Sequence, residues 1–192
     1  RARAPFEVAG FTSEGGALES DGDGTIIATE SSLINDNRNP GMTREQIETA
    51  VFAAYGASKM IWVPGLRGHD ITDDHIDATS RFIRPGVVMV QLPQPSRTDV
   101  WAEDARTQFK ILSHATDAKG RPLQVVPIRG PSTVRSTYKG FVDSYVNFAL
   151  AEGAVIAAQF GDRETDQASR RALARAFPGR VVEQLNVDQI GR

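Results

Sequence analysis

The strongest constraint on this chain is an order of elements that comes round three times. Residues 17–20, the turn Asp21-Gly22-Asp23-Gly24 and residues 25–29 read as strand, tight turn, strand, because Asp-Gly pairs supply the positive φ that hairpins need. Thr43-Arg44-Glu45-Gln46 fits a capping box with Thr43 as N-cap, and Ile47, Val51, Ala54 and Tyr55 form an apolar stripe at helical spacing. Gly56 suits the C-terminal cap, and residues 59–63 read as a strand stopped by Pro64. The order then repeats: strand 75–83, turn Arg84-Pro85-Gly86, strand 87–92, a helix over roughly 98–116 and strand 123–128. A third round has strand 144–150, turn Ala151-Glu152-Gly153, strand 154–160, a helix near 164–177 and strand 180–185. The hairpin glycines Gly24, Gly86 and Gly153 thus recur at intervals of roughly sixty-odd residues, a period that signals internal repetition.

A ββαβ unit repeated about an axis brings equivalent positions toward one centre. Counting back from each hairpin glycine, Glu14, His75 and Asp143 stand at comparable places near the start of the first strand. Polar side chains from successive repeats are therefore expected to converge on a central cavity.

Composition narrows the chemistry. The 192 residues suffice for one sizeable domain. The near balance of 22 basic and 24 acidic side chains gives no electrostatic case for nucleic acid or an anionic membrane. Apolar runs such as 154–158 are far too short to span a bilayer, and the basic stretch 1–6 has no apolar signal core behind it. A cytoplasmic location is the expectation. With no cysteine, these residues offer no disulfide, no zinc–thiolate site and no thiol nucleophile.

The segment Asp73-Asp74-His75-Ile76-Asp77 carries the densest chemistry. On an extended strand, residues i and i+2 share a face, so the spacing predicts the His75 imidazole beside the Asp77 carboxylate. His69 and Asp70 lie close enough in sequence to suggest a divalent metal among hard oxygen and imidazole ligands. A solvated acidic loop is the stronger rival, and no metal or cofactor is expected. A calcium loop at 21–24 is disfavoured because Ile26 and Ile27 stand where further oxygen ligands belong. Asn37-Arg38-Asn39-Pro40 reads either as a hydrogen-bonded loop beside a substrate site or as a structural turn. Trp62 and Trp101 read as packing residues, and His114 as a helix-end residue.

Several blocks, in order along nearly the whole chain, resemble the agmatine deiminase family, which is grouped with the bacterial peptidyl-arginine deiminases. They are residues 13–25, Asn37-Arg38-Asn39-Pro40, 73–77, 115–121, 144–148 and 159–162. The resemblance implies an α/β (α+β) pentein-type propeller, five ββαβ units around a pseudo-fivefold axis. About three units are expected here, near 14–64, 75–129 and 143–187, forming one partial catalytic domain over 1–192. The implied reaction converts agmatine to N-carbamoylputrescine and ammonia without metal or organic cofactor, through a cysteine-bound thiouronium. By motif position, Glu14 looks like the family's active-site glutamate, His75 its general acid/base, and Asp77 a carboxylate that grips the guanidinium.

Physical chemistry supports those residue types. A guanidinium spreads its charge over a planar fork of N–H donors, which carboxylates accept in pairs. One imidazole can protonate the leaving ammonia and then deprotonate water, since it titrates near neutrality. Peptidyl-arginine or free-arginine deimination and non-catalytic guanidinium binding are the near alternatives.

The absent cysteine is the departure. The family's nucleophile belongs to a C-terminal glycine-rich segment. The expectation is therefore an incomplete chain, lacking N-terminal repeats and the cysteine segment and inactive by itself. Its partners are expected to be a small cationic guanidine, and either its missing segments or a second copy, because open repeats expose edges.

Overall fold

Each of three small sheets is built the same way in the computed structural model, which describes residues 8–191; the basic stretch 1–6 lies outside them. The first sheet holds β1 (Leu18–Ser20), β2 (Thr25–Thr29) and β3 (Lys59–Val63). The second holds β4 (Ser80–Arg84), β5 (Val87–Leu92) and β6 (Gln124–Arg129), and the third β7 (Ala149–Ala151), β8 (Ala154–Gln159) and β9 (Val181–Asn186). In every sheet the first two strands pair antiparallel and the last two parallel. A parallel pair needs a crossover. A short α1 (Glu30–Leu33) followed by α2 (Arg44–Tyr55), then α3 (Val100–His114) and α4 (Arg163–Ala176), supply the three crossovers.

Local chemistry accounts for the turns and helix ends. Asp21 Oδ1 accepts from the N–H groups of Asp23 at 2.8 Å and Thr25 at 2.9 Å, which folds the first hairpin tightly. At α2 both halves of the capping box form: Gln46 N–H donates to Thr43 Oγ1, and Thr43 N–H donates to Gln46 Oε1 at 2.8 Å. Gly56, at φ 63°, ends that helix in the left-handed conformation glycine adopts most cheaply. Asp99 and Asp162 cap α3 and α4 by accepting from Ala102 and Thr165 N–H.

Period-two alternation in the central strands joins the units. Ile26 and Ala28 of β2 face the first unit's own core, while Ile27 points the other way and packs with Phe82, Val88 and Val90 of the second unit. Likewise Val88 and Val90 of β5 face one core, and Met89 packs with Tyr145, Val146, Phe148 and Val155 of the third unit. Ile128 of β6 joins that second interface.

Two expected strands are shorter than their sequence pattern. Strand 75–83 begins only at Ser80, because residues 76–78 form a 3-10 turn preceded by Asp73 and Asp74 at φ 58° and 67°. Strand 144–150 begins only at Ala149. Ser144 Oγ accepts from the N–H groups of Val146 and Asn147, and Phe148 N–H turns back to the Val146 carbonyl.

Met89→Ala removes a fully buried side chain from the interface between the second and third units. Urea unfolding is expected to show a loss of about 2–5 kcal/mol.

Candidate active site

Glu14 and His75 occupy equivalent places in the first two units, each just ahead of a 3-10 turn (Gly15–Ala17 and Ile76–Ala78). The fold brings them together: His75 Nε2 lies 3.1 Å from Glu14 Oε2. Asp143, at the comparable place in the third unit, does not join them. Its carboxylate instead accepts from Arg97 Nη1 at 3.0 Å, and its carbonyl from Gln91 Nε2.

Asp77 lies against the Glu14 loop. A Cβ added at Gly16 would stand 2.5 Å from Asp77 Oδ2, so only glycine lets the carboxylate come this close to the backbone. The strand expected to carry His75 and Asp77 on one face is a turn instead, and Asp77 faces Gly16. Burial pushes the Asp77 carboxyl above its ordinary value; the His75 and Arg81 charges pull the other way without cancelling it. Beneath it, Arg81 Nε lies 2.5 Å from Glu19 Oε1, Arg81 Nη1 donates to the Phe148 carbonyl, and its guanidinium sits 5.0 Å from the Phe148 ring. Burial raises Glu19 to about 7, although Arg81 and the Phe82 N–H oppose it.

Arg38 is the residue whose part the sequence left undecided. It is 8% exposed. Its Nε donates to both Glu14 oxygens at 2.8 and 2.7 Å, its Nη1 to Asp73 Oδ2 at 2.8 Å, and its Nη2 to the Thr72 carbonyl at 3.0 Å. Asp73 Oδ2 also accepts from Asn35 and Asn37 Nδ2, and Asp73 Oδ1 from Gly68 N–H at 2.7 Å. The Asn37–Pro40 block therefore does hydrogen-bonded work: it ties the Glu14 loop to the loop that delivers His75.

These bonds set the charges. Burial pushes Glu14 upward, but hydrogen bonds from Arg38 and His75 outweigh it and hold the carboxyl below its ordinary value. Asp73 is likewise held low, burial being outweighed by Arg38, the Gly68 N–H and Asn37. Among the described residues, no group of three or more His, Asp or Glu side chains is arranged to hold a metal ion. Nor, among them, is any helix long and apolar enough to cross a membrane.

Three ββαβ units, with the His75–Glu14 contact where two of them meet, make a pentein-type α/β protein. Residues 1–192 match the Porphyromonas-type peptidyl-arginine deiminase family, and the chain belongs to that family. It is 39% identical over 188 residues to an agmatine deiminase of Medicago truncatula, covering 88% of this chain and 50% of that protein. Against an agmatine deiminase of Stutzerimonas stutzeri the identity is 36% over 191 residues, covering 90% and 51%. The solved agmatine deiminase of Enterococcus faecalis superposes with a TM-score of 0.84 at 26% identity, covering 92% of this chain and 53% of that one. The chain spans about half the length of these relatives.

Arg38→Ala is expected to cost about 3–5 kcal/mol in chemical denaturation, because it strands the buried Asp73 carboxylate. Glu14 and Asp73 sit below their ordinary values of 4.5 and 3.8, so their stabilisation is present above those values and drains as pH falls through the lowered ones. The acid limb of the stability profile should flatten in this variant.

Proposed function

We propose that this chain carries the acid–base and guanidinium-gripping part of a guanidine-group hydrolase site, with agmatine as the preferred substrate. The observation that carries the reading is the His75–Glu14 contact at 3.1 Å, with the Asp77 carboxylate against Gly16 of the Glu14 loop. The names of the relatives support agmatine as the substrate.

In this reading Asp77, held against its preference in a half-buried place, accepts N–H groups from the incoming guanidinium, and the cation relieves the cost of its charge. A thiolate attacks the guanidinium carbon. His75, oriented by Glu14, gives a proton to the departing nitrogen, and ammonia leaves a thiouronium behind. His75 next takes a proton from water, the resulting hydroxide adds to the same carbon, and the carbon–sulfur bond breaks to return the thiolate and release the carbamoyl product. The sequence has no cysteine, so the sulfur in this scheme comes from another polypeptide segment or a second chain. The half-exposed Val181 and Leu185 on β9 offer an apolar surface for such a contact. Leu185 stands at the register position that Val63 and Ile128 hold in the other sheets, and both of those are covered.

Calorimetry with agmatine, L-arginine and an arginyl peptide, run beside an ammonia assay, tests the reading. Agmatine is expected to bind best, at least tenfold more weakly to Asp77→Asn, and without ammonia release by the chain alone. Equal affinity in Asp77→Asn would remove the grip from Asp77. Tighter peptide binding would move the substrate to peptidyl-arginine, and ammonia release from the purified chain would sink the thiolate scheme.

A further inference from the structure

Directly behind His75 two buried carboxyl groups come close together. Asp74, the preceding residue, is 1% exposed and accepts from the Leu66 N–H, while Asp104, buried on α3, accepts from the adjacent Gly65 N–H, which sets the two carboxyl groups side by side. Two carboxylates placed side by side away from water favour holding one proton between them. The surrounding donors decide who holds it. Asp104 accepts from the Gly65 N–H at 3.2 Å and from Gln108 Nε2, whereas Asp74 accepts only the Leu66 N–H, at 3.1 Å, among backbone donors. Burial, then repulsion from Asp104 and Asp70, pushes Asp74 up to about 8. Burial also raises Asp104, against the pull of Gln108 and Gly65.

The pair sits where it can govern the loop that carries His75. Gly65 and Leu66 open that loop and Asp74 closes it, and all three are bonded into the pair. Asp73 and Asp74 are the described non-glycine residues with positive φ, a conformation that persists only while its surroundings enforce it. Ser31 Oγ and Thr29 Oγ1 enforce part of it by donating to the Asp73 and Asp74 carbonyls at 2.6 and 2.7 Å. On the open side, Asp74 borders a cavity of about 240 Å³ between the second and third units. The ionisable groups around it are His69 and Asp70 on the same loop, and Arg97, Lys139 and Asp143 opposite. Arg97 is already engaged by Asp99 and Asp143, at 2.6 and 3.0 Å.

We propose that Asp74 and Asp104 share one proton as a latch that positions His75 against Glu14, and that losing this proton at alkaline pH releases the loop. The latch itself stands without any reading of function; its bearing on turnover rests on His75 acting as the acid–base residue. Asp74 is a positioning residue in this scheme and touches no substrate. The sign follows from linkage. The folded carboxyl holds its proton more tightly than the unfolded one, so the pair's stabilisation is full below the ordinary 3.8 and drains as pH rises toward about 8.

The test is an NMR titration of the 192-residue chain and of Asp74→Asn, from about pH 5 to about pH 10. In the wild type, the Gly65 and Leu66 amides are expected to shift together with a midpoint near 8, and the His75 ring signals to move at that same midpoint. Asp74→Asn keeps a donor toward Asp104 and an acceptor for Leu66, so it should hold the loop and lack the transition. A flat wild-type titration overturns the proposal, as does a transition that persists in Asp74→Asn. Should the variant fail to fold, the wild-type titration alone decides. Agmatine binding that depends on Asp77 beside a flat titration would keep the functional reading and remove the latch; the converse would do the opposite.

Discussion

Arg38 brings a guanidinium into a place with almost no water. There it must find acceptors or cost the fold several kcal/mol. It finds them on two separate loops, the one that carries Glu14 and the one that ends in Asp73, Asp74 and His75. Neither loop has a strand or long helix of its own to fix it. The position of Glu14 relative to His75 is therefore a consequence of one buried cation meeting two carboxylates and a backbone carbonyl.

This arrangement divides labour among carboxylates a few residues apart. Glu14 and Asp73 each bond to Arg38 and are held below their ordinary values. Asp77 has neighbouring charges but no bonded cation, and burial leaves it raised. Asp74 is raised furthest, with a carboxyl for its partner. Environment, and not residue type, separates their protonation, which is how a single acidic loop can hold structure, bind a cation and keep a proton.

The repeats were legible because their signals are local: Asp-Gly hairpins, a capping box and alternating apolar residues each act over a few positions. The sequence failed at 75–79 and 144–148 for an equally local reason. Both stretches have strand-like residues, yet left-handed aspartates just ahead of one and the Ser144 hydroxyl in the other fold them into turns. His75 and Asp77 came to notice through their spacing and, with Glu14, through family resemblance, whereas their surroundings needed the fold. Arg38 stayed undecided because nothing near it in sequence says that its charge is buried. The Asp74–Asp104 contact was out of reach, since it joins a loop to a helix face thirty residues on and follows no period.

The alternation in β2 and β5 has a consequence for how the molecule comes apart. Each of these strands places neighbouring residues in two different cores, so a boundary between repeats in sequence is not a boundary in energy. Disturbance of one unit is handed to the next through the back of a shared strand, in the manner of a zip whose teeth belong to both sides. The middle sheet should therefore not come apart while its two flanking sheets stay shut.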